Sequence, residues 1–431
     1  MNLLQSINAN SKKWIYILGG LGVMALVLFE ARGEGDFNIF LNASKDLLTG
    51  KNIYTETYYK WYHYYYDLSF ALFLYPFSYF PFYIVKVLWL FANVFFTFRI
   101  WKIIQYYLSF EKSGLNNKLL FSLLSFAFAL PFLRDNFHLA QVTTFILYLC
   151  FEGIFFLEKN KTLKGSLLIA LGISIKLLPL ILIPYLIYRG NFKAIAYILL
   201  WFIVLAIFPA IFIGIDQTIF LLHQRWILLN PGNTEHILDT AERSFHSLST
   251  LFATLFIKDC GDIYALKIPR NIADVSIENL KILINTARVV LILLSLYFFK
   301  TRPFHKSKSN LNKLYELSYL FLLIPLIFPH QQFYAFLFTT PACIYLLYYF
   351  FRKYNSDNIK QANSFRRRKI TLIILLIIIF SLTGSHFYLG QFNDYYDHFK
   401  TLTYGALLII PVLAFCSPEK LNEQTRLIEK N

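Results

Sequence analysis

Residues 159–193 read KNKTLKGSLLIALGISIKLLPLILIPYLIYRGNFK, and the two ends of this stretch set a constraint that its middle resolves. The apolar run 165–188 is long enough to cross a bilayer core of about 30 Å once. Both flanks are basic, however: Lys159 to Lys164 on one side, Arg189 to Lys193 on the other. The positive-inside rule assigns such flanks to the cytoplasm, and one crossing would leave one of them outside. Within the run, GISIKLLPLILIP carries Lys176 and Pro179, a charge and a missing backbone donor that interrupt a single helix. Two short helices over 165–188, forming a hairpin with Lys176 near its extracytoplasmic apex, meet both constraints.

Outward from this hairpin, apolar runs recur at 14–29, 82–104, 119–133, 139–157, 194–213, 278–299, 314–329, 333–351, 370–388 and 402–416. With the two hairpin arms they make about twelve membrane segments. Residues 68–80, just before Pro81, read as a shallow juxtamembrane helix. The expected fold is an all-α polytopic membrane protein, a single integral membrane domain over residues 1–431 with helical outer loops. Residues 14–31 follow Lys12 and Lys13 as a secretory signal would. They end in Phe29-Glu30-Ala31-Arg32 rather than a small-x-small cleavage site, so they read as an uncleaved first span.

Charge tests the layout. The expected inner stretches, including a basic loop at 352–369, hold 26 Lys and Arg in 92 residues; the outer ones, chiefly a first loop at 30–81 and a large loop at 214–277, hold 11 in 137. That contrast turns most of the net charge of +16 into a record of topology. It places both termini in the cytoplasm, with the chain in an inner (plasma) membrane.

Composition closes off other classes. A chain that is 57% hydrophobic and 15% charged, with mean hydropathy +0.50, is neither disordered nor an ordinary soluble enzyme. Nucleic-acid binding would need a basic face on a water-exposed domain, and the cations here mark the inner side of a membrane instead. Cys150, Cys260, Cys343 and Cys416 have no metal-ligand spacing, so neither a disulfide framework nor a zinc site is expected. There is no glycine-rich phosphate loop, and no cofactor or metal is implied. The outer stretches hold 16 of the 25 acids and, with His386, eight of the nine histidines, so chemistry is expected on that face.

Several outer residues can carry it. Asp36, in Glu34-Gly35-Asp36-Phe37-Asn38, is a carboxylate beside the bilayer surface, where partial desolvation favours a general base; it reads equally as a cap of the helix FNIFLNASKDLLTG. The run from Tyr54 to Asp67 is dense in tyrosine and reads as an aromatic belt or as a stacking platform for sugar or lipid. Arg134 and Asp135, in the short segment RDNFHLAQ, form either a simple pair or part of a site with His138 and Gln141. Lys176 suits a lipid phosphate as a point charge, or snorkels to the interface. The large outer loop adds His223, Arg225, Trp226, His236, Arg243 and His246, and Pro329-His330-Gln331-Gln332 forms a tight outer turn in which His330 either lines a site or bonds backbone.

In order and spacing these features resemble the GT-C membrane glycosyltransferases, most closely glycosyltransferase family 87, the polyprenyl-phosphate-mannose-dependent mannosyltransferases, over roughly residues 10–350. GDFNIFLNASKDLLTGKNIY is similar to the family's Asp, amphipathic helix and Gly-x-x-x-Tyr ending, which implies Asp36 as base and Tyr54 at the substrate. LAQVTTFIL resembles a Gly-Gln-x-Asn stretch, with Ala140 and Thr143 in place of Gly and Asn. GISIKLLPL is similar to a Gly-x-x-x-Lys-x-x-Pro hairpin, implying Lys176 on the donor phosphate. FHSLSTLF resembles an Asn-Gln-Ser-Leu pattern, with Phe245 and His246 in place of Asn-Gln. PHQQFYAFLFTTP resembles the late aromatic-His-proline segment, with His330 as its histidine.

The resemblance implies transfer of a hexose, mannose, from a polyprenyl-phosphate sugar to a lipid or glycan acceptor on the extracytoplasmic face. A donor that is already a lipid monophosphate needs one base for the acceptor hydroxyl and cations for the departing charge. No Asp-x-Asp pair for a divalent ion is present. The implied reaction is a metal-independent, inverting single displacement: Asp36 as base, Lys176 and Arg134 on the phosphate, and Asp135, His138, Gln141, His246, His330 and Tyr54 on substrate. Alternative readings are a multi-span transporter or lipid or glycan flippase, and a GT-C glycan ligase. The absence of a visible internal repeat and the clustering of polar groups on one face favour an enzyme over a transporter.

Overall fold

The computed structural model describes residues 9–60, 62–112, 115, 117–230, 234–240, 244–260, 266–354, 363–384, 386 and 388–421. Arg243 and the middle of the expected 352–369 loop lie outside them. Among the described residues the regular structure is all helical, with isolated bridges but no β-strand. The first eleven helices are α1 (Ala9–Glu30), α2 (Phe37–Leu47), α3 (Leu68–Leu74), α4 (Phe82–Tyr107), α5 (Lys118–Leu139), α6 (Thr143–Glu158), α7 (Thr162–Ile175), α8 (Leu182–Tyr188), α9 (Phe192–Ile207), α10 (Ala210–Ile213) and α11 (Ile215–Leu229). They are followed by α12 (Thr234–Leu238), α13 (Leu248–Phe256), α14 (Ile277–Phe298), α15 (Asn310–Ile327), α16 (Thr340–Tyr354), α17 (Asn363–Gly384), α18 (Asn393–His398) and α19 (Thr401–Phe415).

Among the described residues five helical stretches are long and apolar enough to cross a membrane: 82–107, 118–139, 192–213, 277–298 and 333–354. A sixth follows if the pair 390–398 and 401–415, bent by 68°, is one span. Two of the other expected segments fall short on length or charge. The 16 residues of α6 rise only about 24 Å, and α17 begins with Arg366, Arg367, Arg368 and Lys369. On α9, Leu199, Leu200, Ile203, Val204 and Ile207 are all exposed, as they are where lipid is the solvent. The span at 333–354, by contrast, is 94% buried and forms protein core.

The expected interruption near Lys176 is present. Helix α7 stops at Ile175, Lys176 is extended (φ −148°, ψ 133°), and a 3-10 turn over Leu178–Ile181 leads into α8. One expectation is corrected. Residues 134–138 are not a loop between two spans but the last turns of α5, because that helix continues unbroken to Leu139. A helix satisfies its own backbone groups, so it can run past the apolar core into the interfacial zone without cost.

The chain groups into two compact units, the first comprising residues 1–103, 134–231 and 303–305, the second 104–133, 232–302 and 306–431. In the first unit α6 packs on α7 and α7 on α9. Paired glycines let α6 and α7 meet: a Cβ on Gly165 would lie 2.6 Å from the carbonyl oxygen of Gly153, and one on Gly153 would lie 3.1 Å from that of Gly165. Arg99 of α4 donates to both carboxylate oxygens of the buried Glu152 of α6, at 2.7 and 2.8 Å. In the second unit α15 and α16 pack together, and α17 packs on α19.

Candidate functional site

In the first unit, the segment around Asp36 lies against the end of α5. Gly35 allows this approach, since a Cβ there would sit 3.0 Å from the carbonyl oxygen of Leu139. Two side chains of α4 brace the pair of segments. Lys86 Nζ donates to the Gly33 carbonyl at 2.7 Å, and Trp89 Nε1 donates to that of Ala140 at 2.9 Å. Helix α5 itself ends in a Schellman motif: Ala140 N–H donates to Phe137 O at 3.1 Å and Gln141 N–H to Asn136 O at 2.9 Å. Ala140 occupies the left-handed position of that motif, with φ +51°. This is the position at which the resemblance drawn from LAQVTTFIL has glycine.

The cap aims Gln141 at Asp36. The Gln141 carboxamide, fully buried, donates through Nε2 to Asp36 Oδ2. Its Oε1 accepts from Val142 N at 3.3 Å and from the Tyr66 hydroxyl at 3.5 Å, which fixes which end of the amide is the donor. Asp36 stands at the N-cap position of α2, yet its side chain makes no capping hydrogen bond and its backbone is helical (φ −61°, ψ −18°). The carboxylate of Asp36 also acts electrostatically on the ammonium of Lys176, which stands at the break after α7.

The same unit holds a second pairing. Arg225 of α11 donates through Nη1 to Asp67 Oδ2 and through Nη2, at 2.7 Å, to the carbonyl of Ser174 in the last turn of α7. Asp67 caps α3, accepting from Ser69 N–H at 2.9 Å, and both charged residues are buried. Burial raises the proton affinity of the Asp67 carboxyl, while Arg225 and the Ser69 hydrogen bonds oppose that rise. Three tyrosines of the aromatic run, Tyr54, Tyr64 and Tyr66, are interior, whereas Tyr65 is exposed: Tyr54 donates to Tyr66 O at 3.0 Å and Tyr64 to Asp67 O at 2.7 Å.

The remaining expected residues are placed as follows. Arg134 is exposed and Asp135 partly buried, both in the final turns of α5. His138 pairs with Glu30 at 3.0 Å. His246 and His330 belong to the second unit. His330 donates through its backbone N–H to Asp239 Oδ1 at 2.8 Å and pairs with the same oxygen through Nδ1 at 2.7 Å, while His236 contacts its other ring nitrogen. Ser247 and Thr250 also bond the Asp239 carboxylate. His246 is fully buried, 3.4 Å from Asp397, and burial outweighs that carboxylate in lowering its proton affinity. Among the described residues, no group of three or more His, Cys, Asp or Glu side chains is arranged to hold a metal ion.

Thus Asp36, Gln141 and Lys176 are gathered in one unit with Tyr66. Sequence reasoning missed Asp67, Asp239 and Asp397 as members of networks, and treated Arg225 as one of several loop residues. The Asp67-Leu68-Ser69 start of α3 carried an N-cap signal; the partner 158 residues away had none.

Residues 64–302 match the family model of glycosyltransferase family 87. No curated protein matches the chain.

Proposed function

We propose, because the chain belongs to glycosyltransferase family 87 and is a membrane glycosyltransferase, that it moves mannose from a polyprenyl-phosphate sugar to a lipid or glycan acceptor on the extracytoplasmic face of the plasma membrane. The observation that carries this reading is the posture of Asp36, which holds a cap position without capping, is gripped by Gln141 and acts electrostatically on Lys176. A carboxylate diverted from helix capping toward a fixed amide donor and a cation is organised for something other than local stability.

In the proposed reaction the acceptor hydroxyl gives its proton to Asp36 as its oxygen forms a bond to the anomeric carbon. The bond from that carbon to the donor's phosphate oxygen breaks in the same displacement, with inversion, and polyprenyl phosphate leaves. The Lys176 ammonium, with Arg134 second, meets the charge released on the phosphate, so that no divalent ion is called for. Gln141 keeps the carboxylate aimed; Asp135, His138, Tyr54, His246 and His330 contribute to substrate binding.

The test is transfer from radiolabelled polyprenyl-phosphate mannose to a membrane lipid extract. Asp36→Asn is expected to lose transfer by about 100-fold or more while still binding donor, in the range of removing a general base. Full transfer by Asp36→Asn overturns the assignment, and movement of labelled lipid across vesicles without transfer points to a flippase instead. The twelve-segment layout with both termini cytoplasmic is proposed with it, supported by the basic inner stretches. Single cysteines near Gly165 and Gly190 should label from the same side; labelling from opposite sides contradicts the hairpin.

A further inference from the structure

We infer that Arg225 is a positioning residue: by tying the Ser174 carbonyl to Asp67 it fixes the end of α7, and through it the place of Lys176 on the donor phosphate. The inference rests on the reading of Lys176 given above.

The last carbonyls of a helix have no intrahelical partner and must find one. At the end of α7 the Gly172 carbonyl accepts from Lys176 N–H at 3.1 Å, and the Ser174 carbonyl accepts from Arg225 Nη2 at 2.7 Å. Lys176 is extended immediately afterwards, so the direction of its side chain follows from where Ser174 and Ile175 are held. The guanidinium is suited to hold them because its fork reaches two acceptors at once in a fixed plane. Its other arm is anchored by Asp67, itself pinned at the start of α3 by Ser69 N–H and by the Tyr64 hydroxyl on its carbonyl. Three elements distant in sequence thus meet on one side chain: α3, the end of α7 and α11.

The same geometry argues that Arg225 does not itself grip the phosphate. Each Nη donates a hydrogen bond to protein, the charge is met by the Asp67 carboxylate, and the side chain is buried. A buried, neutralised pair costs desolvation and is weak as a source of stability against an apolar replacement, whereas it defines geometry closely. Asp67 and Arg225 neutralise each other, which leaves the positive charge of the neighbourhood on Lys176.

The experiment measures binding of two probes to the full-length protein in lipid nanodiscs: polyprenyl monophosphate and the polyprenol of the same chain length. Their affinity ratio isolates what the protein gains from the phosphate. Lys176→Met is expected to lower that ratio. Arg225→Gln, made together with Asp67→Asn so that no lone charge is buried, is expected to lower it about tenfold, in line with the sensitivity of charge placement to small displacements. Arg225→Lys should restore part of it, and combining Lys176→Met with the double replacement should cause no further fall. A merely structural role would weaken both probes alike and leave the ratio unchanged, and that result overturns the inference. An effect that multiplies with that of Lys176→Met overturns it too, since Arg225 would then act independently. If Lys176→Met itself leaves the ratio untouched, the reading of Lys176 fails, and the inference with it.

Discussion

Ala140 holds the left-handed position of the cap that ends α5, where a Cβ costs about 1–2 kcal/mol. The departure from glycine that stands out in LAQVTTFIL therefore falls on a backbone constraint. Ala140→Gly relieves the strain but gives up a buried methyl and adds chain entropy, effects of about 1 kcal/mol that nearly offset it. Ala140→Gly is expected to leave stability unchanged or improved in detergent unfolding, whereas Ala140→Val should lose about 2 kcal/mol or more. A loss of about 1 kcal/mol or more by Ala140→Gly would falsify the account, since that is the ordinary penalty of glycine in a helix interior. At this scale the sequence was informative about Asp36, Lys176 and Gln141, whose types and neighbours are unusual for an apolar chain. It left open whether Asp36 caps a helix, because the same residue in the same place serves either role; only the direction of the carboxylate separates them.

Helix α7 shows what an element inherits from its glycines. The contact between Gly153 and Gly165 is backbone against backbone, which cannot yield as a flexible side chain would. Gly165→Ala is expected to cost about 1–3 kcal/mol by overpacking and to loosen α6 from α7. Gly20→Ala, in α1 where a new Cβ meets nothing within 4 Å, should be neutral or gain about 0.5–1 kcal/mol. Equal thermal shifts for the two variants would sink the explanation. The interruption at Lys176 and Pro179 was legible, since charge and a missing donor act locally. The length of α5 was not: Arg134, Asp135 and His138 look like a turn between spans, yet polar residues at the membrane surface are compatible with a continuing helix. The other long spans were readable from hydropathy alone; α7 and α8 were readable as short, whereas the α6 segment was readable as apolar but not as short.

Over the whole molecule, the pairings that sequence could not disclose are the distant ones, Asp67 with Arg225 in the first unit and His246 with Asp397 in the second. Nothing in local spacing links residues so far apart, and each alone looks like an ordinary loop charge. His246 gives the second unit a pH dependence with a definite sign. Burial holds its proton affinity below the ordinary histidine value of about 6.5, against the pull of Asp397 and with the push of Lys400 and His386. The unfolded chain therefore binds the proton first. The contribution is full above about pH 6.5 and is lost as pH falls from there through the folded value. Unfolding measured from pH 7.5 down to 5 should show stability falling, and His246→Gln should flatten part of that fall. A slope unchanged by His246→Gln removes His246 from the account.

The ion pair between Arg99 and Glu152 bears on how the chain is made. Helix α4 carries three cations, Lys86, Arg99 and Lys102, and the partners of the first two lie on either side of it in synthesis: the Gly33 carbonyl comes earlier, Glu152 of α6 later. An arginine facing lipid alone is costly, up to about 2.5–3.5 kcal/mol on insertion scales for one at the bilayer centre and less toward a helix end, where Arg99 lies. When α4 leaves the translocon, Lys86 already has a partner behind it, but Arg99 has none until α6 has been synthesised. Biogenesis then favours α4, α5 and α6 entering the membrane as a group, and a nascent chain halted after α5 should retain α4 poorly.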